Sequence, residues 1–222
     1  MEKLINKRQQ MNGIDLLQKL PNEKIRTAFF DPQYRGILDK LSYGNEGVNR
    51  GKARSQLEQM SEATIMEFIS LIDKRLLPSG YLFLWVDKFH LVSGIQNWIK
   101  DTPSLQTVDM ITWCKGKIGM GYRTRRTSEY LIVIQKKPQV AKSTWKLHNI
   151  PDVWTEKITQ KIHTHQKPIE LQKQLILSTT NIGDYVLDPA AGSYSVLECC
   201  KQTERNFIGC DIKYGEDSNY ED

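Results

Sequence analysis

Tyr185-Val186-Leu187-Asp188-Pro189-Ala190-Ala191-Gly192-Ser193 is the stretch that decides the fold. A short apolar run ends on an acid, a proline and a turn of small residues, and Ser193 to Lys201 then carries the pattern of a helix. The same punctuation occurs twice more. Thr27-Ala28-Phe29-Phe30 runs into Asp31-Pro32, and Asn206-Phe207-Ile208-Gly209-Cys210 runs into Asp211. Between these points strands and helices alternate. Gly13 to Leu20 reads as a short helix, and Ser61 can cap a longer one whose apolar face is Ile65, Phe68, Ile69, Ile72 and Leu76. Pro78-Ser79-Gly80 reads as its end. Tyr81 to Val86 is apolar on both faces, as an interior parallel strand should be. A helix over Leu91 to Lys100, strands over Val108 to Trp113 and Glu129 to Gln135, and a helix opened by Pro168 and stopped by Gly183 complete the alternation. The fold class is α/β, a doubly wound and mostly parallel sheet, with no internal repeat and a single domain over residues 1–222.

In such sheets ligands lie beyond the carboxyl ends of the strands. One aspartate there could simply cap a turn; three together predict a shared crevice. The small residues after Asp188 let backbone approach a ligand closely. They lack the G-x-G-x-x-G dinucleotide pattern and the P-loop lysine. Asp211, at the next strand end, stands where an acid reaches the hydroxyls of a ribose. A nucleoside without phosphates fits these features better than a dinucleotide, and S-adenosylmethionine is such a ligand.

By themselves Asp31-Pro32-Gln33-Tyr34 read as an ordinary Asp-Pro turn with a surface tyrosine. Amine chemistry gives them a second reading. The lone pair of an adenine N6 or cytosine N4 is delocalised into the ring and is a poor nucleophile. Two acceptors, the Asp31 carboxylate and the Pro32 carbonyl, can bind both N–H groups and stabilise the positive charge that develops during attack. Tyr34 would stack on the extruded base. No metal is required.

At this point the chain resembles the β-class DNA amino-methyltransferases. Asp31-Pro32-Gln33-Tyr34 is similar to their DPPY catalytic motif, and Asp188-Pro189-Ala190-Ala191-Gly192-Ser193 to their DPFxGSG methyl-donor motif. His163-Thr164-His165-Gln166-Lys167-Pro168 resembles HPTQKP, and Ile208-Gly209-Cys210-Asp211 the acidic ribose-binding strand end. The order, catalytic motif first and donor motif near the C-terminus, is that of the β class. The resemblance implies a Rossmann-like methyltransferase fold and S-adenosylmethionine as cofactor. It implies a donor site of Phe30, Asp31, His163, Gln166, Lys167, Pro168, Asp188 to Ser193 and Asp211. It also implies site-specific methylation of adenine N6 after base flipping, in a restriction-modification setting. Aspartate at position 31, where cytosine-N4 enzymes commonly carry serine, favours adenine. The alternatives are a cytosine-N4 DNA enzyme, an RNA methyltransferase and a catalytically silent DNA-binding subunit. Three residues depart from the motifs: Gln33 for the second proline, Ala190 for an aromatic and Tyr194 for a glycine.

The net charge of +5 is modest, but its cations are clustered. Arg50, Lys52 and Arg54 lie in a polar, glycine-containing stretch of about 35–60, expected to be a loop that closes over double-stranded DNA. Lys115, Lys117, Arg123, Arg125 and Arg126, with Tyr122 among them, form a second candidate nucleic-acid surface. Lys136, Lys137, Lys142 and Lys146 form a third run. The polar segment of about 138–162 is the expected target-recognition insert, small enough that a homodimer or partner subunit could share the reading. The four cysteines lack zinc-ligand spacing and read as reduced thiols. No apolar stretch is long enough to span a bilayer, so a cytoplasmic protein with no membrane partner is expected.

Overall fold

The computed structural model describes residues 1–33, 60–119, 123–159 and 166–216. They form an eight-stranded sheet from β1 (Gln9–Gln10), β2 (Ile25–Phe30), β3 (Leu76–Val86), β4 (Leu105–Cys114), β5 (Ser128–Lys136), β6 (Val153–Thr155), β7 (Tyr185–Asp188) and β8 (Asn206–Asp211). The order is β1-β8-β7-β2-β3-β5-β4-β6. From β1 to β3 every pairing is parallel. β5 then runs antiparallel to both β3 and β4, and β6 returns parallel to β4. The doubly wound, mostly parallel sheet is therefore present, with one reversed strand that the sequence reading did not specify. Its cause is the β4–β5 link. Cys114 pairs with Ser128, and Lys115 N donates to the Thr127 carbonyl at 2.8 Å, so the chain turns straight back as a hairpin. A parallel return would need a crossover of a dozen or more residues, usually helical. The polar, arginine-rich 115–127 segment has no apolar face for one. Because β5 is reversed, its first residues share the sheet edge on which the other seven strands end.

Helices α1 (Gly13–Lys19), α2 (Glu62–Arg75) and α4 (Gln96–Ile99) cover one face; α5 (Ile169–Thr179) and α6 (Ser195–Thr203) cover the other. Strand alternation divides the core between them. Ala28, Phe30, Leu82 and Leu84 join Leu16, Ile65, Phe68 and Ile69, while Phe29, Tyr81, Phe83 and Trp85 join Leu171, Leu175 and Val196. Side-chain caps start α1 and α2, the second at the Ser61 that the sequence predicts. The Asn12 side chain accepts from Ile14 N and Ser61 Oγ from Thr64 N.

Three boundaries differ from expectation. α2 stops at Arg75 and β3 begins at once, so Pro78-Ser79-Gly80 lies inside a strand. Ser79 there has φ 59°, and the β2–β3 register shifts nearby, so the turn-forming residues mark a bulge. The single helix expected over Leu91 to Lys100 is two, α3 (Lys88–Ser93) and α4, broken at Gly94 with φ 92°. The described part of the insert, residues 138–159, also holds more structure than its lack of period implied. It supplies β6, and its Trp145 stands edge-on to Tyr81 at 5.6 Å between ring centres.

The insert brackets α5. Pro168 offers that helix no side-chain cap, and Glu156 does so from a distance. Its Oε1 accepts from Glu170 N and its Oε2 from Leu171 N, both at 3.1 Å, where a helix start favours negative charge. At the other end Lys146 Nζ donates to the Thr180 carbonyl at 2.6 Å. Lys136 similarly donates to the carbonyls of Asp73 and Leu76 at the end of α2. Lys136 of the third basic run is thus committed to a helix end rather than displayed to a polyanion, while Lys146 is exposed and tied to another helix end. Of the cysteines, Cys199, Cys200 and Cys210 are buried, Cys114 is half-buried, and all are free.

Candidate active site

Asp31 follows β2, Asp188 closes β7 and Asp211 closes β8, so the three acids lie along one carboxyl edge. Between the first two opens a cleft whose empty space, together with its open mouth, is about 410 Å³. Phe29, Asp31, Gln33, Trp85, Lys167, Gln172, Asp188, Ser195 and the turn from Ala190 to Ser193 line it.

The turn after β7 is held by its own and neighbouring backbone. Ala190 N donates to Asp188 Oδ1 at 3.2 Å, and Ala191 N to the Cys210 carbonyl at 2.9 Å. Asp211 accepts from Gly192 N at 3.1 Å through one oxygen, and from Lys213 N and Tyr214 N through the other. A carboxylate has about four lone-pair sites. Asp211 thus keeps capacity for a further donor. Asp188 is 7% exposed, and burial pushes its carboxyl well above the ordinary range. The Ala190 amide opposes that rise, while Asp31 and Asp211 add to it. Gly192 (φ 49°) and Tyr194 (φ 56°) both take left-handed backbone. Tyr194, the departure from glycine, sends its ring into the core against Phe207. Its hydroxyl donates toward the carbonyls of Gln9 and Tyr214. The bulky replacement fills the core and is not among the residues lining the cleft.

The turn after β2 is held by side chains. Lys167 Nζ lies 2.7 Å from Asp31 Oδ2 and 3.1 Å from Glu129 Oε2, with its ammonium 5.3 Å from the Trp85 ring centre. The second oxygen of Glu129 binds the ammonium of Lys115. Burial alone would raise the Glu129 carboxyl, but the two lysines outweigh it and hold it at about 2. Burial alone would lower the Lys167 ammonium; Asp31 and Glu129 outweigh that and raise it. Pro32 is buried, and the Gln33 carbonyl accepts from Met60 N at 2.6 Å.

Several expected site residues converge here and others do not. Asp31, Gln33, Lys167, Asp188, Ala190, Ala191, Gly192 and Ser193 line the cleft. Phe30 does not: its ring stacks on Phe68 in the opposite core at 5.0 Å, and alternation along β2 gives the cleft Phe29 instead. Pro189 and Gln166 are buried beside the site, and Pro168 occupies the position just before α5. Lys115, expected on the nucleic-acid surface, is a half-buried cation between Glu129 and the Trp113 ring. Lys117, Arg123 and Arg125 are exposed on the β4–β5 hairpin. Arg126 leans on Asp87 at 3.7 Å and over the Phe89 ring. Tyr34, Arg50, Lys52, Arg54, Tyr122 and His163, with almost all of the 35–60 loop, lie outside the described residues.

Sequence reasoning missed Phe29, Trp85, Gln172, Ser195 and Glu129. Alternation in β2 and β3 could have supplied the first two; no local signal marks Glu129. Two of the missed residues bear on ligand fit. Trp85 Nε1 and Gln172 Oε1 are buried with no hydrogen-bond partner among the described residues. Buried polar atoms are rarely left unpaired, so one donor and one acceptor in the cleft wall suit a ligand that carries both. S-adenosylmethionine is such a molecule. Among the described residues there is no group of three or more His, Cys, Asp or Glu placed to hold a metal, and no helix long and apolar enough to cross a membrane.

With this geometry in view, the similarities to known proteins are specific. The family described as DNA methylase, N6_N4_Mtase, matches residues 25–216. The type II methyltransferase M.HhaII of Haemophilus parahaemolyticus is 65% identical over 218 residues, covering 98% of this chain and 96% of that protein. In structure, M1.HpyAVI in complex with SAM aligns over 96% of this chain and 95% of its own, with a TM-score of 0.66 at 19% identity. The cytosine-N4-specific PvuII DNA methyltransferase aligns over 91% and 80%, with a TM-score of 0.67 at 15% identity. At those identities the structural likeness establishes the methyltransferase fold. The matched span includes both aspartate turns, the lysine between them and the hairpin at their edge, and by it the chain belongs to the N6/N4 DNA methylase family.

Proposed function

We propose that this protein transfers a methyl group from S-adenosylmethionine to the N6 of adenine in double-stranded DNA, at a specific sequence and after flipping the base from the helix. The observation that carries the proposal is that the Asp31 turn and the Asp188–Ser193 turn line the same cleft. When bound, the donor supplies an electrophilic methyl on its sulfonium. Gly192 and its neighbours hold the donor against backbone, Asp211 takes its ribose, and Trp85 and Gln172 pair with its polar groups.

Asp31 has one oxygen on Lys167, which leaves the other to accept an N–H of the target amine. The Pro32 carbonyl accepts the second N–H. Together they draw the nitrogen lone pair out of the ring and toward the methyl. As the nitrogen gains its methyl it becomes acidic, and the proton it sheds passes to Asp31. Tyr34 stacks on the flipped base, a contact of about 1–3 kcal/mol in single-strand binders. Flipping itself costs a few kcal/mol. Arg50, Lys52 and Arg54 with the 35–60 loop, and Lys117, Arg123 and Arg125 on the hairpin, contact phosphates. The 138–162 insert and the hairpin read the bases. The carboxylate at position 31 supports adenine over cytosine.

The test is to incubate the protein with labelled S-adenosylmethionine and mixed-sequence duplex DNA, digest to nucleosides and identify the product by mass spectrometry. N6-methyladenine is expected. N4-methylcytosine would overturn the base assignment, and label in RNA alone would overturn the substrate. Label in neither, despite donor binding, would leave a silent subunit.

A further inference from the structure

We infer that Ile118 is the wedge of the base-flipping step: carried on the β4–β5 hairpin, it enters the DNA stack where the target base leaves. The inference rests on the proposed methylation of a flipped base and gives a role to an apolar residue outside every motif of the sequence.

A single exposed isoleucine ordinarily calls for no explanation. Three observations set this one apart. Ile118 is 76% exposed on a hairpin that also displays Lys117, Arg123 and Arg125. Among the described residues of that hairpin it is the only large apolar side chain, so greasy and cationic groups are offered together. The hairpin leaves the sheet at the edge that carries both aspartate turns, because β5 is reversed.

The hairpin is also braced. Gly119 N donates to the Arg126 carbonyl at 2.7 Å, one step beyond the bond from Lys115 N to the Thr127 carbonyl. A Cβ at position 119 would lie 2.7 Å from that Arg126 oxygen, so glycine lets the two arms close beside Ile118. At the base, Lys115 binds Glu129, which binds the Lys167 that holds Asp31. On the other arm, Lys88 Nζ donates to Thr124 Oγ1 at 2.8 Å and Arg126 leans on Asp87 at 3.7 Å. Asp87 and Lys88 follow β3, the strand beside β2. Ile118 is therefore displayed from a frame tied to the Asp31 turn.

The chemistry follows from what flipping leaves behind. An extruded base leaves a gap between two apolar ring faces. Cations can grip the phosphates around it, but they cannot replace the lost stacking. An aliphatic side chain can, by burying its own apolar surface in the gap, and apolar wedges between base steps are a recurring device. Lys117, Arg123 and Arg125 hold the backbone, and Ile118 keeps the base from falling back while the methyl is transferred.

Ile118→Ala is tested on two duplexes that carry the site methylated by the wild-type protein, located by sequencing its product. In one the target base is paired; in the other it faces an abasic position and has no partner to leave. Single-turnover methyl transfer to the paired duplex should fall by roughly tenfold or more. On the abasic duplex the difference from wild type should largely vanish. Ile118→Leu should recover most of the rate on the paired duplex. Donor affinity by calorimetry and the salt slope of DNA binding should not change, since no phosphate contact is lost. Ile182 is 69% exposed but precedes β7, at the opposite edge, and Ile182→Ala should match wild type on both duplexes. An undiminished rate of Ile118→Ala on the paired duplex would overturn the proposal. So would equal slowing on both duplexes, which would make Ile118 an ordinary contact. A wild type that methylates no DNA would remove the proposed function itself, whereas an active wild type with an unslowed variant would remove only the wedge.

Discussion

The two aspartate turns that face each other across the cleft are built by different means. The turn after β7 is local: the carboxylates of Asp188 and Asp211 are met by backbone amides of Ala190, Gly192, Lys213 and Tyr214. The turn after β2 is assembled from afar: Asp31 is met by Lys167, which answers to Glu129, which answers to Lys115. Backbone amides give a cradle whose geometry is fixed by the main chain. Side-chain ions give a centre whose charge and orientation each neighbour can shift. The first suits holding a cofactor, and the second suits gripping a polar substrate group.

The largest expected effect tests the tuned side. Asp31→Ala should lower methyl transfer by about a thousandfold, at the upper end of losses seen when one electrostatic partner of a transition state is removed. Donor affinity by calorimetry should persist. Turnover close to wild type would break the comparison outright.

Next comes the cradle. Asp211→Ala removes acceptors from three amides and the proposed ribose contact, and hydrogen bonds to charged groups contribute about 1.5–3 kcal/mol. Donor binding should weaken by roughly ten- to a hundredfold, with the rate at saturating donor little changed. Equal affinity in calorimetry would exclude Asp211 from the donor site.

A smaller effect separates the exposed arginines from the half-buried lysine. Replacing Arg123 and Arg125 by alanine should reduce the slope of log affinity for DNA against log salt by about 0.9 for each phosphate no longer neutralised. Lys115→Gln should leave that slope intact. A slope that Lys115 alters and the arginines do not would exchange their roles.

The smallest concerns stability. Burial raises the Asp188 carboxyl, so the folded state binds a proton that the unfolded state has released. Stability therefore falls as pH rises from the ordinary carboxylate value toward the raised folded one. Without donor, Asp188→Asn should melt above wild type at neutral pH, by about 2–4 °C per kcal/mol relieved in a protein of this size. The gap should close in acid. A gap that stays constant with pH would mean that the carboxyl is not the cause.

The same contrast explains what could be read from sequence. The donor turn was legible because strand, small-residue turn, helix and the next acid follow one another in order, and the structure keeps that order from Tyr185 to Asp211. Asp31 was legible as a strand end. Its partner Lys167 was legible through its motif, but Glu129 and Lys115 were not, since nothing near them announces that a hairpin carries them beside Lys167. Lys115 looked like one more cation in a basic run. The reversed strand is what sorts it from Arg123 and Arg125, and pairing partners in a sheet are not written locally. Phe30 was misassigned for a simpler reason: a shift of one residue changes the face of a strand.

One interaction sets a rule for engineering new specificity. The carboxylate of Glu156 starts α5 from within the segment proposed to read DNA, and the indole of Trp154 donates to it. Transplanting that whole segment from a relative would swap the reader and uncap the helix beside the donor pocket in one stroke. A chimera that keeps Trp145, Lys146, Trp154 and Glu156 should hold both ends of α5 and bind donor like the parent, so that any change in the sequence methylated can be credited to the graft alone.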